Sequence, residues 1–114
     1  MTKASEREVQ NVKHPYGGAG HISIDSLLSE EKMGSGIRIF AKVEVKQFCE
    51  IGHHEHHNET EAYYILSGKG LYDDNGKAIP VEAGDVVFCE DGHGHGIKND
   101  HPEDLVFIAL VIKK

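Results

Sequence analysis

The spacing His54-x-His56-x4-Glu61, with His95 far downstream, constrains the fold more than any other feature of this sequence. Residues two apart on a strand point to the same face about 6.6 Å apart, so an extended segment lets His54 and His56 approach one ion from one side. Glu55, with His53 and His57, then faces the other way. Asn58-Glu59-Thr60 reads as a polar turn, after which Glu61-Ala62-Tyr63-Tyr64-Ile65-Leu66 can return as a second strand and bring Glu61 beside the two histidines. His95 would close the shell from a distant strand. Three neutral imidazoles and one carboxylate suit a borderline divalent transition metal better than Ca or Mg, which leaves Mn, Fe, Co, Ni, Cu and Zn open. The competing reading of His53-His54-Glu55-His56-His57 is a surface patch that collects adventitious metal. Its interior position, the Glu61 spacing and the separate His95 argue against that.

The rest of the chain carries the same strand signal. From Ile37 the period is two, with Ile37, Ile39, Ala41, Val43 and Val45 alternating with Arg38, Phe40, Lys42, Glu44 and Lys46. Phe40 is the exception on the polar face. Asn75-Gly76, between Gly70-Leu71-Tyr72 and Ala78-Ile79-Pro80-Val81, is a strong hairpin signal because both positions tolerate positive φ. Val86 to Cys89 and Leu105 to Ile112 complete a series of short strands separated by Gly-rich or polar turns. The expected class is all-β, a small antiparallel barrel or jelly roll over residues 37–114. Residues 1–36 read as an arm and loop that can pack on the barrel, with one or two helical turns within Asp25 to Lys32, where Asp or Ser can cap, before Gly34 and Gly36. Gly18-x-Gly20 lacks the third glycine, the preceding strand and the Lys-Ser/Thr pair of a phosphate loop.

Leu105 to Ile112 is apolar at both parities, whereas an outer strand of an isolated barrel shows polar residues on its solvent side. Something is therefore expected to cover the second face: a homodimer packing sheet on sheet, or the N-terminal arm.

A chain of 114 residues is one domain by length and can bury a core without disulfides. Its net charge of −7 opposes adsorption to phosphate backbones and to anionic lipid, so neither nucleic acid nor a membrane is the expected partner. Cys49 and Cys89 do not read as a disulfide framework and are expected as buried free thiols. No apolar N-terminal stretch or long apolar span is present, and a cytoplasmic location is the default expectation.

The segments His54-x-His56-x4-Glu61-x6-Gly68 and Gly84-x5-Glu90-x-Gly92-x2-His95-x3-Asn99 resemble the two motifs of the cupin superfamily, G-x5-H-x-H-x3-4-E-x6-G and G-x5-P-x-G-x2-H-x3-N. The resemblance implies a double-stranded β-helix, or jelly-roll, barrel. It also implies that His54, His56, Glu61 and His95 ligate the metal, that Gly68, Gly84 and Gly92 serve turns, and that Asn99 holds a loop. Two departures stand out: Gly52 is too close to His54 to be the leading glycine, and Glu90 replaces the proline of the second motif.

Among the remaining side chains, His93 precedes His95 by two and is the credible extra ligand, whereas His14, His21 and His101 read as ordinary loop residues. Glu90 reads either as a solvated strand-end carboxylate or as a proton donor near the cavity mouth. Tyr63 shares parity with Glu61 and reads as wall or as acid. Arg38 would anchor a substrate carboxylate only if its pleat face lines the pocket. Such a centre is an open Lewis acid, and two functions follow. One is a metal-dependent enzyme acting on a small oxygen-rich acid or sugar derivative, with decarboxylase, isomerase, lyase, hydrolase and dioxygenase chemistries all open. The other is a non-catalytic metal or small-ligand binding or sensor module.

Overall fold

A computed structural model describes all 114 residues. Ten strands follow in chain order: β1 (Val9–Lys13), β2 (His21–Ser26), β3 (Ile37–Val45), β4 (Glu50–Glu55), β5 (Glu59–Ser67), β6 (Lys69–Asp74), β7 (Lys77–Glu82), β8 (Val86–Cys89), β9 (Gly94–Lys98) and β10 (Leu105–Lys113). They form a six-stranded sheet in the order β1-β2-β3-β10-β5-β8 and a four-stranded sheet in the order β4-β9-β6-β7. Every pairing is antiparallel. The inner faces of both sheets meet in one core, with Val43, Val45, Ile65 and Phe107 from the larger and Ile51, Tyr72, Val81 and Ile97 from the smaller. This is the all-β jelly roll that the alternation and the turn signals predict.

β10 shows why a strand can be apolar at both parities. Leu105, Phe107, Ala109 and Val111 are buried in the core, while Val106, Ile108 and Leu110 lie half-buried on the outer face. Phe40 pairs with Leu110 across β3, and Tyr64, Leu66, Val86 and Phe88 of β5 and β8 are exposed on that side. Phe40 is therefore no exception on a polar face; it belongs to an apolar outer patch. The Asn75-Gly76 hairpin forms as the sequence predicts, with φ of 52° and 97° at the two turn residues.

The N-terminal segment contributes more than an arm, because β1 and β2 extend the larger sheet beside β3 rather than crossing over its outer face. The expected helix forms as one turn, Glu30–Met33, capped by the Ser29 side chain rather than by Asp25 and ended at Gly34 with φ of 75°. Asp25 itself sits in β2 opposite Lys42, and Arg7 grips its carboxylate with bonds of 2.8 and 3.1 Å. That guanidinium contact outweighs partial burial and holds the Asp25 carboxyl below its ordinary range. A single short helix gains little on its own, so pairing with β3 decides the local structure.

The glycine-dense stretch between β1 and β2 has a packing role. A Cβ on Gly52 would stand 2.2 Å from the Tyr16 carbonyl oxygen, and one on Gly18 would stand 2.1 Å from that of Glu50. The loop thus lies backbone against backbone on β4, which only glycine permits at these two sites. Tyr16, with φ of 51°, is carried over the inner end of β4.

Asn99 closes the opposite loop. Fully buried, it donates to the carbonyls of Val45 (2.9 Å) and Glu103 (2.8 Å) and accepts from the His101 N–H (2.8 Å). Replacing it with alanine strands these groups without partners. We expect Asn99→Ala to lower unfolding free energy by about 2–4 kcal/mol in urea titration, and stability within about 0.5 kcal/mol of wild type would refute this account.

Candidate metal centre

Three strands bring the four candidate ligands together. His54 lies on β4 directly opposite His95 on β9, just after a register shift that follows Ile51. His56 follows two residues later, and Asn58, with φ of 63°, reverses the chain so that β5 can present Glu61 inward. The ligating atoms of His54, His56, Glu61 and His95 all lie within 4.8 Å of one another. Glu61 Oε1 is 2.9 Å from Nε2 of His56 and of His95 and 3.8 Å from Nε2 of His54. His56 and His95 bring their Nε2 atoms to 3.1 Å. Two ligand atoms about 2.1 Å from an ion and at right angles to each other stand about 3.0 Å apart, so the short edges of this cluster fit one cation.

The outer nitrogens make the same point. His54 Nδ1–H donates to the Gly52 carbonyl (2.9 Å), His56 Nδ1 meets the Glu59 carboxylate (2.5 Å), and His95 Nδ1 meets the Tyr72 hydroxyl (2.8 Å). A proton held on each Nδ1 leaves each Nε2 lone pair bare, and all three Nε2 atoms point at one another and at a carboxylate oxygen. When the Nε2 atoms instead carry protons, their hydrogen bonds to Glu61 override the burial that alone would raise its carboxyl and hold the group far below the usual carboxylate range. Glu61 is therefore an anion in a buried site. Its hydrogen bond raises His56, while burial lowers His95.

Arg38 settles its own parity question. A bulge pairs Ile37 and Ile39 with successive residues Ile112 and Val111 of β10, which leaves Arg38 without a cross-strand partner and turns it toward the interior cavity. Its Nε and Nη2 each donate to Glu59 at 2.8 Å, a fork that keeps the Glu59 carboxyl low and ionised. Glu59 thus joins Arg38 to His56. On the opposite side Tyr16 stacks on His54, with ring centres 4.0 Å apart and planes 11° from parallel. A cavity of about 420 Å³, open to solvent on one side, adjoins the cluster, lined by His54, His56, Glu61, Arg38 and Tyr63 together with aliphatic side chains and, at its mouth, Lys13, His14 and Tyr16.

The other sequence candidates divide clearly. Tyr63 lines the cavity and stacks on His95 and Phe107, and burial pushes its hydroxyl well above the ordinary value, so it is wall that keeps its proton. Glu90 is exposed just past the end of β8, 3.8 Å from His93, and lies outside the cavity lining. His93 is exposed too and stands apart from the ligand cluster; its backbone carbonyl accepts from the His56 N–H. His53 pairs with Asp73 and His57 with Glu55 on the far side of β4, as alternation requires. His14 is the exposed loop residue expected and also borders the cavity, whereas His21, expected in a loop, begins β2. Cys49 and Cys89 are both buried free thiols, and burial pushes that of Cys89 up to about 11.

Sequence reasoning missed Glu59, Tyr72 and Tyr16. Glu59 had a usable signal, since it follows His56 by three residues across a turn. Tyr72 and Tyr16 reach the centre from β6 and from the β1–β2 loop, and no local spacing links them to it.

Comparison with known proteins points the same way. The family described as "Cupin domain" matches residues 41–112. A Thermotoga maritima protein named "Oxalate-binding protein" is 38% identical over 112 residues, covering 98% of this chain and 93% of its own. The crystal structure of a "predicted oxalate decarboxylase" from Thermotoga maritima superposes with a TM-score of 0.95 at 38% identity, covering 100% of this chain and 99% of that one. The polyketide cyclase RemF from Streptomyces resistomycificus shares the fold alone, with a TM-score of 0.76 and 18% identity over 99% of this chain and 78% of that one.

From the fit of the cluster we expect about one divalent transition metal per chain by elemental analysis. His54→Ala combined with His56→Ala should abolish loading, and unchanged stoichiometry would return the surface-patch explanation. Loading should fall as pH drops from about 7 to 5, because protons compete for the Nε2 lone pairs, and metal should raise the thermal midpoint because it binds the folded state.

Proposed function

The chain belongs to the cupin family, and on that premise we propose that it is a metal-dependent enzyme acting on a small oxygen-rich carboxylic acid, with oxalate the first compound to test. The observation that carries the proposal is the convergence of three imidazole Nε2 atoms and an ionised, buried carboxylate beside a cavity that also holds a guanidinium. The relative named for oxalate binding supports the choice of acid. Nε2 of His54, His56 and His95 and Oε1 of Glu61 would hold the ion. A divalent transition metal there would act as a Lewis acid that polarises a carboxylate or carbonyl oxygen.

The chain's own residues supply the rest. Arg38 spends Nε and Nη2 on Glu59, and its remaining edge offers positive charge to an incoming carboxylate. Glu59 orients the His56 ring, Gly52 that of His54 and Tyr72 that of His95. Stacked Tyr16 shields His54 from solvent, and the aliphatic walls keep the dielectric low, which strengthens each charge interaction inside.

A second reading, a binding protein without turnover, is favoured by one observation. Glu61 is the only carboxyl group lining the cavity, and as a ligand it is not free to move a substrate proton. The two are separated by incubating metal-loaded protein with oxalate, with and without oxygen, and following carbon dioxide and formate. Product supports the enzyme; tight binding by calorimetry with no product supports the binder. Arg38→Gln should weaken oxalate binding about tenfold, close to 1.4 kcal/mol, with metal content unchanged.

We also propose that a second copy of the chain covers the outer patch formed by Phe40, Tyr64, Phe88, Ile108 and Leu110. The N-terminal strands lie beside β3 and leave that face open. Light scattering should report a dimer, and Ile108→Lys with Leu110→Lys should give a folded, metal-loaded monomer. The inward pair Phe107→Lys with Ala109→Lys should instead collapse the fold. A monodisperse wild-type monomer at micromolar concentration would end the dimer proposal.

A further inference from the structure

The cavity is larger and more apolar than oxalate requires. Its volume of about 420 Å³ falls within the roughly 300–1,000 Å³ of pockets that enclose drug-sized ligands. Oxalate is two carboxylates joined by a single bond and has no carbon chain to set against aliphatic walls.

The space has a definite origin in the sequence. Ala41 on β3 and Ala109 on β10 are direct cross-strand partners, both buried in the core. One inward row toward the metal cluster stand Ile39 and Val111, with Glu61 beside Val111. One inward row the other way stand Val43 and Phe107, with Ile24 beside Val43. Adjacent inward rows are two residues, or about 6.6 Å, apart. Tyr63 of β5 completes the alanine row beside Ala109 and forms its wall, so the paired alanines open space on the β3–β10 side of that ring, between two rows of large side chains. Arg38 marks the polar end through its link to Glu59 and His56. The wall beyond is Ile24, Ala41, Val43, Phe107 and Ala109, with no charge among them.

We infer that the site takes a 2-oxo or 2-hydroxy carboxylic acid with a branched aliphatic or aromatic tail, its oxygens at the metal end and its tail over Ala41 and Ala109. This rests on the metal–carboxylate reading above. The adjacent oxygen pair suits an ion held from one side, Arg38 balances the carboxylate, and the tail displaces water from aliphatic surface. Ala41 and Ala109 then set specificity by the depth they leave.

The test is calorimetry on the full chain loaded with Co(II), using oxalate, pyruvate, 2-oxobutanoate and 4-methyl-2-oxopentanoate as probes. Each buried carbon should tighten binding about fourfold, so Kd should fall roughly 60-fold from pyruvate to 4-methyl-2-oxopentanoate. Ala41→Leu, or the milder Ala109→Val, should shrink that gradient to under about threefold in folded protein that still loads cobalt. The wild-type series is decisive even where a variant fails to fold. A Kd that stays flat or rises along it while oxalate or pyruvate still binds overturns the inference and leaves the metal–carboxylate reading intact. A full gradient retained in a folded, loaded variant places the tail elsewhere and also overturns it. Binding of none of the four acids to loaded protein overturns both.

Discussion

A carboxylate buried between two sheets is costly unless its charge is met, and around Glu61 the fold is arranged to meet it. Three imidazoles come within 3.8 Å of its oxygen from the facing sheet, with β5 of the larger sheet carrying Glu61 itself and β4, its C-terminal extension and β9 of the smaller sheet carrying the histidines. That convergence fixes more than a ligand set. It requires β4 and β9 to pair with His54 opposite His95, and it requires a left-handed residue at Asn58 so that His56 and Glu61 share a side. A slip of one residue in either pairing would turn an imidazole to solvent and leave the carboxylate unmatched.

The same demand propagates outward through the second nitrogen of each ring. The Gly52 carbonyl accepts from His54, and at the same residue β4 and the β1–β2 loop lie too close for any side chain. Gly52 does not fit as the leading glycine of the family's first motif, yet it is indispensable here for a different reason. Glu59 holds His56 while Arg38 holds Glu59, and Arg38 reaches the interior only through a bulge in β3. An irregularity in one sheet thus supports the orientation of a ring borne by the other.

How much of this the sequence disclosed depends on the range over which each signal acts. The convergence of His54, His56, Glu61 and His95 was legible because alternation within β4 and the turn at Asn58 are local, and His95 carried its own motif. The strands were legible for the same reason, as was the Asn75-Gly76 hairpin. Of the two residue types that could cap the short helix, local chemistry could not choose Ser29 over Asp25, because the partners that hold Asp25 in β2, Lys42 and Arg7, are distant in sequence. Tyr72, Tyr16 and the orientation of Arg38 depend on sheet-to-sheet contact or on a bulge, and no window of sequence contains them. Phe40 looked anomalous only because its neighbour Leu110 lies at the far end of the chain.

The paired alanines illustrate a tension between packing and ligand binding. Along the inner face of β3 and β10 most positions carry Ile, Val, Leu or Phe, and a sandwich of this size has little reason to give up contacts at its centre. Two sheets cannot close over the gap at Ala41 and Ala109, because their separation is set by the bulky rows on either side and by the cluster around Glu61. The frame that positions the ligands is thus also what keeps the cavity open. Rigidity at the charged end and vacancy at the apolar end are two results of one packing arrangement, and the side chains that fix the first leave the depth of the second to a pair of small residues.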